Sequence, residues 1–193
     1  MGFNKEYFYV RPLGPSVDYT EDGGNYNEVF ETEPAYEREV RKLRVTESTP
    51  KDFVNGDFFS LAVHVLVISE RVKQALAELN LPEVQFLPAV VVNEKQRATY
   101  EHYYIVHPYK TIRCMHKGLS RWTRGSFDPL RASEIEKLVI NNEKLGEIPP
   151  EERLLFGLWE NRSYLLFHKS VVDKMSEVSS EFVTYPISEN PYM

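Results

Sequence analysis

The sequence predicts a single α+β domain in which a mixed or antiparallel sheet carries two principal helices, near residues 70–80 and 170–178. Three observations predict it. A unit of serine-led helix, short turn and extended segment ending at proline occurs twice, over 69–88 and again over 170–186. Residues 100–106 alternate in the period of two that a half-buried strand requires. Two apolar runs, 154–159 and 164–167, flank the polar residues 160–163 as the arms of a hairpin with a four-residue loop.

The elements follow in order. Residues 3–10 mix aromatic and polar side chains around Tyr7, Phe8, Tyr9 and Val10, a short strand ended by Pro12 and the Gly14-Pro15 pair. Over 16–39, Asp18, Glu21, Asp22, Glu28, Glu31, Glu33, Glu37 and Glu39 face a single base, Arg38. This stretch reads as a solvated arm or as a docking surface for a cationic partner. Residues 40–47 read as a short extended piece whose Arg41, Lys42 and Arg44 neutralise the acids beside them. The run 58–67 is dense in Phe, Leu and Val, and periodicity leaves strand and helix both open.

The helix after Ser69 is the best-specified element. The serine hydroxyl can accept from an orphan N–H, Glu70 suits the positive end of the helix dipole, and Val72, Ala75, Leu76 and Leu79 form one stripe. Residues 86–92 read as a strand, and Pro88 assigns it to an edge or starts it after the proline. The polar turn 93–98 follows. In the next strand Tyr100, His102, Tyr104 and Val106 share one face, with Glu101, Tyr103 and Ile105 on the other. Residues 116–130 are basic and aromatic and read as a loop; 133–138 read as a helical turn before a short strand at 138–140. The second helix is capped by Ser170 with Asp173, its apolar face is Val171, Val172, Met175 and Val178, and the tail beyond Pro186 is expected to fray. The predicted core contains Leu66, Val72, Leu76, Leu79, Phe86, Val91, Ile105, Leu155, Phe156, Leu165, Phe167, Val172 and Met175.

Composition sets limits. A chain of 193 residues can bury roughly 70% of its unfolded surface and needs no staple to fold. With 11 Phe, 12 Tyr and 2 Trp it has ample aromatic anchors. Net charge of −6 argues against a nucleic-acid partner, whose phosphates need clustered bases. The longest apolar-leaning run, 58–68, is interrupted by Ser60 and His64 and falls short of the ~20 residues a spanning helix needs, so no membrane partner is expected. A single cysteine and no signal-like N-terminus give a cytoplasmic expectation.

No catalytic motif emerges. His102, His107, Cys114 and His116 lie close in sequence but lack the paired spacing of a metal half-site, so no metal or cofactor is expected. Cys114 has only His116 as a neighbouring base, some 7 Å along a strand. Phosphate-binding and nucleophile-elbow signatures are absent from the sequence. Arg121, Trp122 and Arg124 are of the residue types enriched at binding hot spots.

Several short motifs occur in a fixed order. They are Asp52-Phe53, Ile68-Ser69-Glu70-Arg71, Val84-Gln85-Phe86-Leu87-Pro88, Tyr103-Tyr104-Ile105-Val106, Leu138-Val139-Ile140, Leu154-Leu155-Phe156 and the closing Ser170-Val171-Val172 helix. This order, over about residues 50–187, resembles a bacterial immunity-protein family of polymorphic toxin systems, first described from myxobacteria as a domain of unknown function. The resemblance implies a small cytoplasmic, non-catalytic protein made beside a toxin. It would neutralise that toxin by stoichiometric occlusion, against contact-dependent or type VI secretion attack. The chain then divides into an acidic extension with a short strand (1–50), an immunity-like core (51–187) and a tail (188–193). The expected partner is a cognate protein toxin with a basic surface. The candidate contacts are Asp18, Glu21, Asp22, Glu28, Glu31, Glu33, Glu37, Arg121, Trp122 and Arg124. A small hydrolase or transferase, and a secretion adaptor or chaperone, are the alternatives; the oligomeric state is left open.

Overall fold

The computed structural model describes residues 2–20, 33–35, 39–46, 56–61 and 65–189. Within them the α+β expectation holds, and the structure adds a closed six-stranded barrel. The barrel strands are β2 (Ser16–Tyr19), β3 (Arg41–Val45), β4 (Phe58–Leu61), β5 (Val65–Ser69), β6 (Val84–Asn93) and β7 (Ala98–Pro108). They run around the wall in the order β2-β3-β6-β7-β5-β4. Closure comes from the short parallel pairing of β2 with β4, Ser16 opposite Ser60 and Val17 opposite Leu61. The bore is filled by side chains, with Leu43, Phe59, Leu61, Val67, Leu87, Val91 and Ile105 at zero exposure.

The second layer is a five-stranded sheet in the order β13-β1-β12-β11-β8. It comprises β1 (Tyr7–Pro12), β8 (Thr111–Ile112), β11 (Leu155–Leu158), β12 (Asn161–His168) and β13 (Phe182–Pro186). One face of this sheet packs on the outside of the barrel. Val10, Leu165 and Phe167 meet Phe58, Leu66, Ile68 and Val106 there, joined by helices α1 (Glu70–Ala77) and α3 (Lys169–Ser176). The opposite face holds Tyr7, Tyr9, Phe156 and Leu166 against Ile112, Cys114, Met115, Ile135 and Leu138. That outer core is covered by the two-stranded hairpin β9 (Arg121–Arg124) and β10 (Ala132–Lys137) and by the short helix α2 (Asn142–Gly146).

Ten of the thirteen expected core residues are buried. Leu79, Phe86 and Val172 are the exceptions, partly buried against the middle core. The α1 cap is as expected, Ser69 accepting from the Val72 amide. The α3 cap is not: His168 precedes the helix in extended conformation and its Nδ1 accepts from Ser170 N–H, so Ser170 lies inside the first turn. The 58–67 run divides into β4 and β5, paired antiparallel. The β11–β12 hairpin forms, but its strands leave only Trp159 and Glu160 between them.

Pro88 does not lie on an edge. β6 pairs with β7 from Val84 onward, and β3 joins its other side only from Ala89, so the missing N–H falls just before that second ladder begins. The alternation in β7 also breaks. His102 adopts φ 63 and the register slips between Ala89 and Val91, a bulge that returns Tyr100 to the inward side with Tyr103 and Ile105.

The stretch expected to be a helical turn, 133–138, is instead mostly the strand β10, Ala132–Lys137. Ala132, Ile135 and Leu138 are all buried at a spacing of three that imitates a helix face. A register shift follows each of the first two, and each shift changes the phase of a strand that would otherwise alternate. Residues 138–140 contribute an isolated bridge, Met115 to Ile140, in place of the expected strand. Beyond Pro186, Ile187 is completely buried and its carbonyl accepts from Leu138 N–H, so this part of the tail is anchored.

Candidate functional site

The sequence-derived candidates fall into two places. Of the acidic set, Glu21, Asp22, Glu28, Glu31 and Glu37 lie outside the described residues. Asp18 belongs to β2, directly across from Arg44 of β3, and both line a shallow depression with Glu94. Glu33 is exposed, and its carbonyl oxygen lies 3.3 Å from Nε2 of the buried His107. The two described acids therefore flank the barrel wall.

Arg121, Trp122 and Arg124 are brought together on β9, part of the 116–130 stretch expected to be loop throughout. Trp122 lies opposite Ile135 and is half-buried against the outer core. Its Nε1 donates to the Lys117 carbonyl at 3.2 Å, and Lys117 Nζ sits 5.0 Å from the indole centroid while donating to Leu130 O. Arg121 is exposed and pairs with Glu136 at 2.5 Å. Arg124 is exposed and makes no ion pair among the described residues. Ser120, Arg121, Trp122, Thr123, Glu134 and Glu136 line a cleft of about 360 Å³ on this face.

The hairpin tip holds a residue not singled out as a contact. Phe127 is fully exposed, and Leu119 and Leu130 are 61% and 49% exposed. These are three of the five large apolar side chains exposed among the described residues. The tip is nonetheless well braced. Gly125 N–H donates to Arg131 O, Arg131 N–H to Asp128 O, and Leu130 N–H to the Asp128 carboxylate at 2.8 Å. The Arg131 guanidinium donates to Trp159 O at 2.6 Å and stacks 4.3 Å from the Trp159 ring, which Arg113 also approaches. Ala132 N–H closes the base by donating to Glu160 O. A single Phe between Ser126 and the Asp128-Pro129 turn was the only sequence signal for it.

A second depression lies at the barrel's junction with the sheet, lined by Asp57, Ser69, Arg71, Glu101, His102 and Glu181 among others. Its centre is a satisfied network. Asp57 accepts from Ser69 Oγ at 2.7 Å and from Arg71, and its amide donates to the Glu181 carboxylate at 2.6 Å. Tyr103 OH donates to Gly56 O at 2.7 Å. This arrangement fastens α1 to the barrel and to the chain before β13.

Cys114 is fully buried in the outer core, and burial pushes its thiol well above the ordinary range, which removes the thiolate that nucleophilic chemistry would use. No grouping of three or more His, Cys, Asp or Glu side chains placed to hold a metal occurs among the described residues. No described helix is long and apolar enough to cross a membrane.

Comparison with protein families places these features. Residues 13–148 match the model of the immunity protein family (Imm11), a span running from the start of the barrel through the β9–β10 hairpin to α2. The match covers well over half of the chain, and the chain belongs to this family. It begins far before residue 50, where the resemblance of the sequence motifs begins, so strands on both sides of that position fall within one family unit. Membership implies a cognate toxin as partner, in a family that is typically non-enzymatic. Comparison with curated proteins finds no match.

Proposed function

We propose that this protein neutralises a cognate antibacterial toxin, delivered by contact or by type VI secretion, through stoichiometric binding in the cytoplasm that occludes the toxin's active site. Family membership carries the reading, because an immunity protein implies a toxin to bind. Its support in the geometry is a scaffold of barrel backed by sheet, from which one hairpin with an exposed aromatic tip and an exposed Arg124 projects.

The test is co-expression with the product of the adjacent gene, scored by growth and then by co-purification. The expected result is that the neighbour kills alone, that this chain rescues growth, and that the two co-purify. Rescue without a complex would overturn stoichiometric inhibition. A complex without rescue would favour an adaptor. The acids of 18–39 add an electrostatic contact with basic groups of the toxin. Charge reversal at Glu31, Glu33 and Glu37 is then expected to slow association and flatten its salt dependence. Unchanged kinetics at low salt would remove that part.

A further inference from the structure

We infer that the β9–β10 hairpin is the anchor of the toxin interface, with Phe127 entering an apolar pocket whose rim carries carboxylates. The inference rests on the toxin-binding reading and states where, and with what chemistry, the toxin is met.

Phe127 stands in water at the tip of a turn, where burial under a partner is its available source of stabilisation. The turn is held by Asp128, by the stack of Arg131 on Trp159 and by the Ala132 to Glu160 bond, so binding orders little additional chain. Aromatic and arginine side chains dominate binding hot spots, and here they share one tip. The charge is equally local. On the hairpin Arg121 is paired with Glu136 and Arg131 with Asp128, which leaves Arg124 as the exposed arginine of β9 outside these pairs. Arg124, the last residue of β9, offers its guanidinium to solvent without an ion pair among the described residues. An exposed guanidinium at Arg124, three residues before an exposed aromatic ring, is complementary to an apolar pocket edged with carboxylates, which would orient the approach and satisfy Arg124 once water is excluded.

The experiment uses the full chain and the toxin product of the adjacent gene, with binding kinetics measured for wild type, Phe127→Ala and Arg124→Glu. Phe127→Ala is expected to weaken the complex by about 30-fold or more, mostly through faster dissociation. Arg124→Glu is expected to slow association and to flatten its dependence on salt. Both variants should melt with the wild type, because neither side chain supports the fold. A wild-type complex that Phe127→Ala leaves within about twofold would overturn this inference and leave the immunity reading intact. Absence of any wild-type complex would remove both. Sedimentation of the free chain covers the competing occupant: a wild-type dimer that Phe127→Ala converts to monomer would make the hairpin a self-contact and overturn the inference.

Discussion

Glu160 is almost fully enclosed beneath the hairpin, yet only one of its carboxylate oxygens has a hydrogen-bond partner, the Met115 amide at 3.3 Å. Burial pushes its carboxyl above the usual range, against the bonds from backbone amides and the pull of Arg113 and Lys117. A raised value means the folded chain holds the proton more tightly. Its stabilising contribution is complete below the ordinary glutamate range and is lost as pH rises through the folded value. Glu160→Gln is therefore expected to stabilise the fold at neutral pH and to gain less in acid. Urea titrations at acid and neutral pH check this, and a variant weaker than wild type at both would refute the assignment. Asp57 has the opposite sign. Burial raises it, but hydrogen bonds from Arg71, Ser69 and Ser179 outweigh that and hold it below the usual carboxylate range. Its contribution is present above the ordinary aspartate range and is lost as pH falls through the lowered value. Asp57→Ala should cost about 2 kcal/mol at neutral pH and progressively less in acid, measured in the same titrations. Neither state is legible in sequence, because each depends on donors brought from distant parts of the chain.

At the scale of elements, the two long helices differ in what starts them. Ser69 caps α1 with a hydroxyl that works at any pH, and Ser69→Ala should cost about 1 kcal/mol in thermal or chemical unfolding. His168 caps α3 through Nδ1, which accepts only while unprotonated. Burial lowers the His168 value below the ordinary histidine range, although Glu6 pulls the other way. The cap's contribution is accordingly complete above that range and is lost as pH falls through the lowered value. Replacing His168 with Asn, a residue that caps without titrating, is expected to flatten the stability profile between pH 7 and 5; an unchanged slope would place that titration elsewhere. Local signals made α1 readable: a cap, an acid and a stripe within a dozen residues. The same reading failed at 133–138, because two register shifts in β10 bury Ala132 and Ile135, with Leu138 buried just past its end, at helical spacing. It failed again at Tyr100, because the bulge at His102 leaves no mark in the residue pattern.

For the molecule as a whole, the α+β class, the longer strands and most of the core were readable, while β2, β8, the β9–β10 hairpin and barrel closure were not. Closure depends on two short parallel pairs between β2 and β4, and pairing across that distance has no local signature. One residue reports on the arrangement directly. Gly14 lies where the chain passes from sheet to barrel, and a Cβ there would run into the Phe58 carbonyl, far inside contact distance. Gly14→Ala is expected to destabilise the fold by about 2 kcal/mol or more, seen as a lower melting temperature. Wild-type stability in that variant would mean the two layers meet less closely.

The position of β1 in the sheet also sets a schedule for making the protein. It lies between β12 and β13, with Tyr7 opposite His168 and Phe8 opposite Pro186, so the earliest strand waits on the ribosome for the latest two. Every barrel strand is translated in the meantime. The barrel can therefore assemble on a nascent chain while the sheet closes only after β13 emerges, and pulse-labelled arrest at residue 150 should yield a protected barrel beside a protease-sensitive first strand.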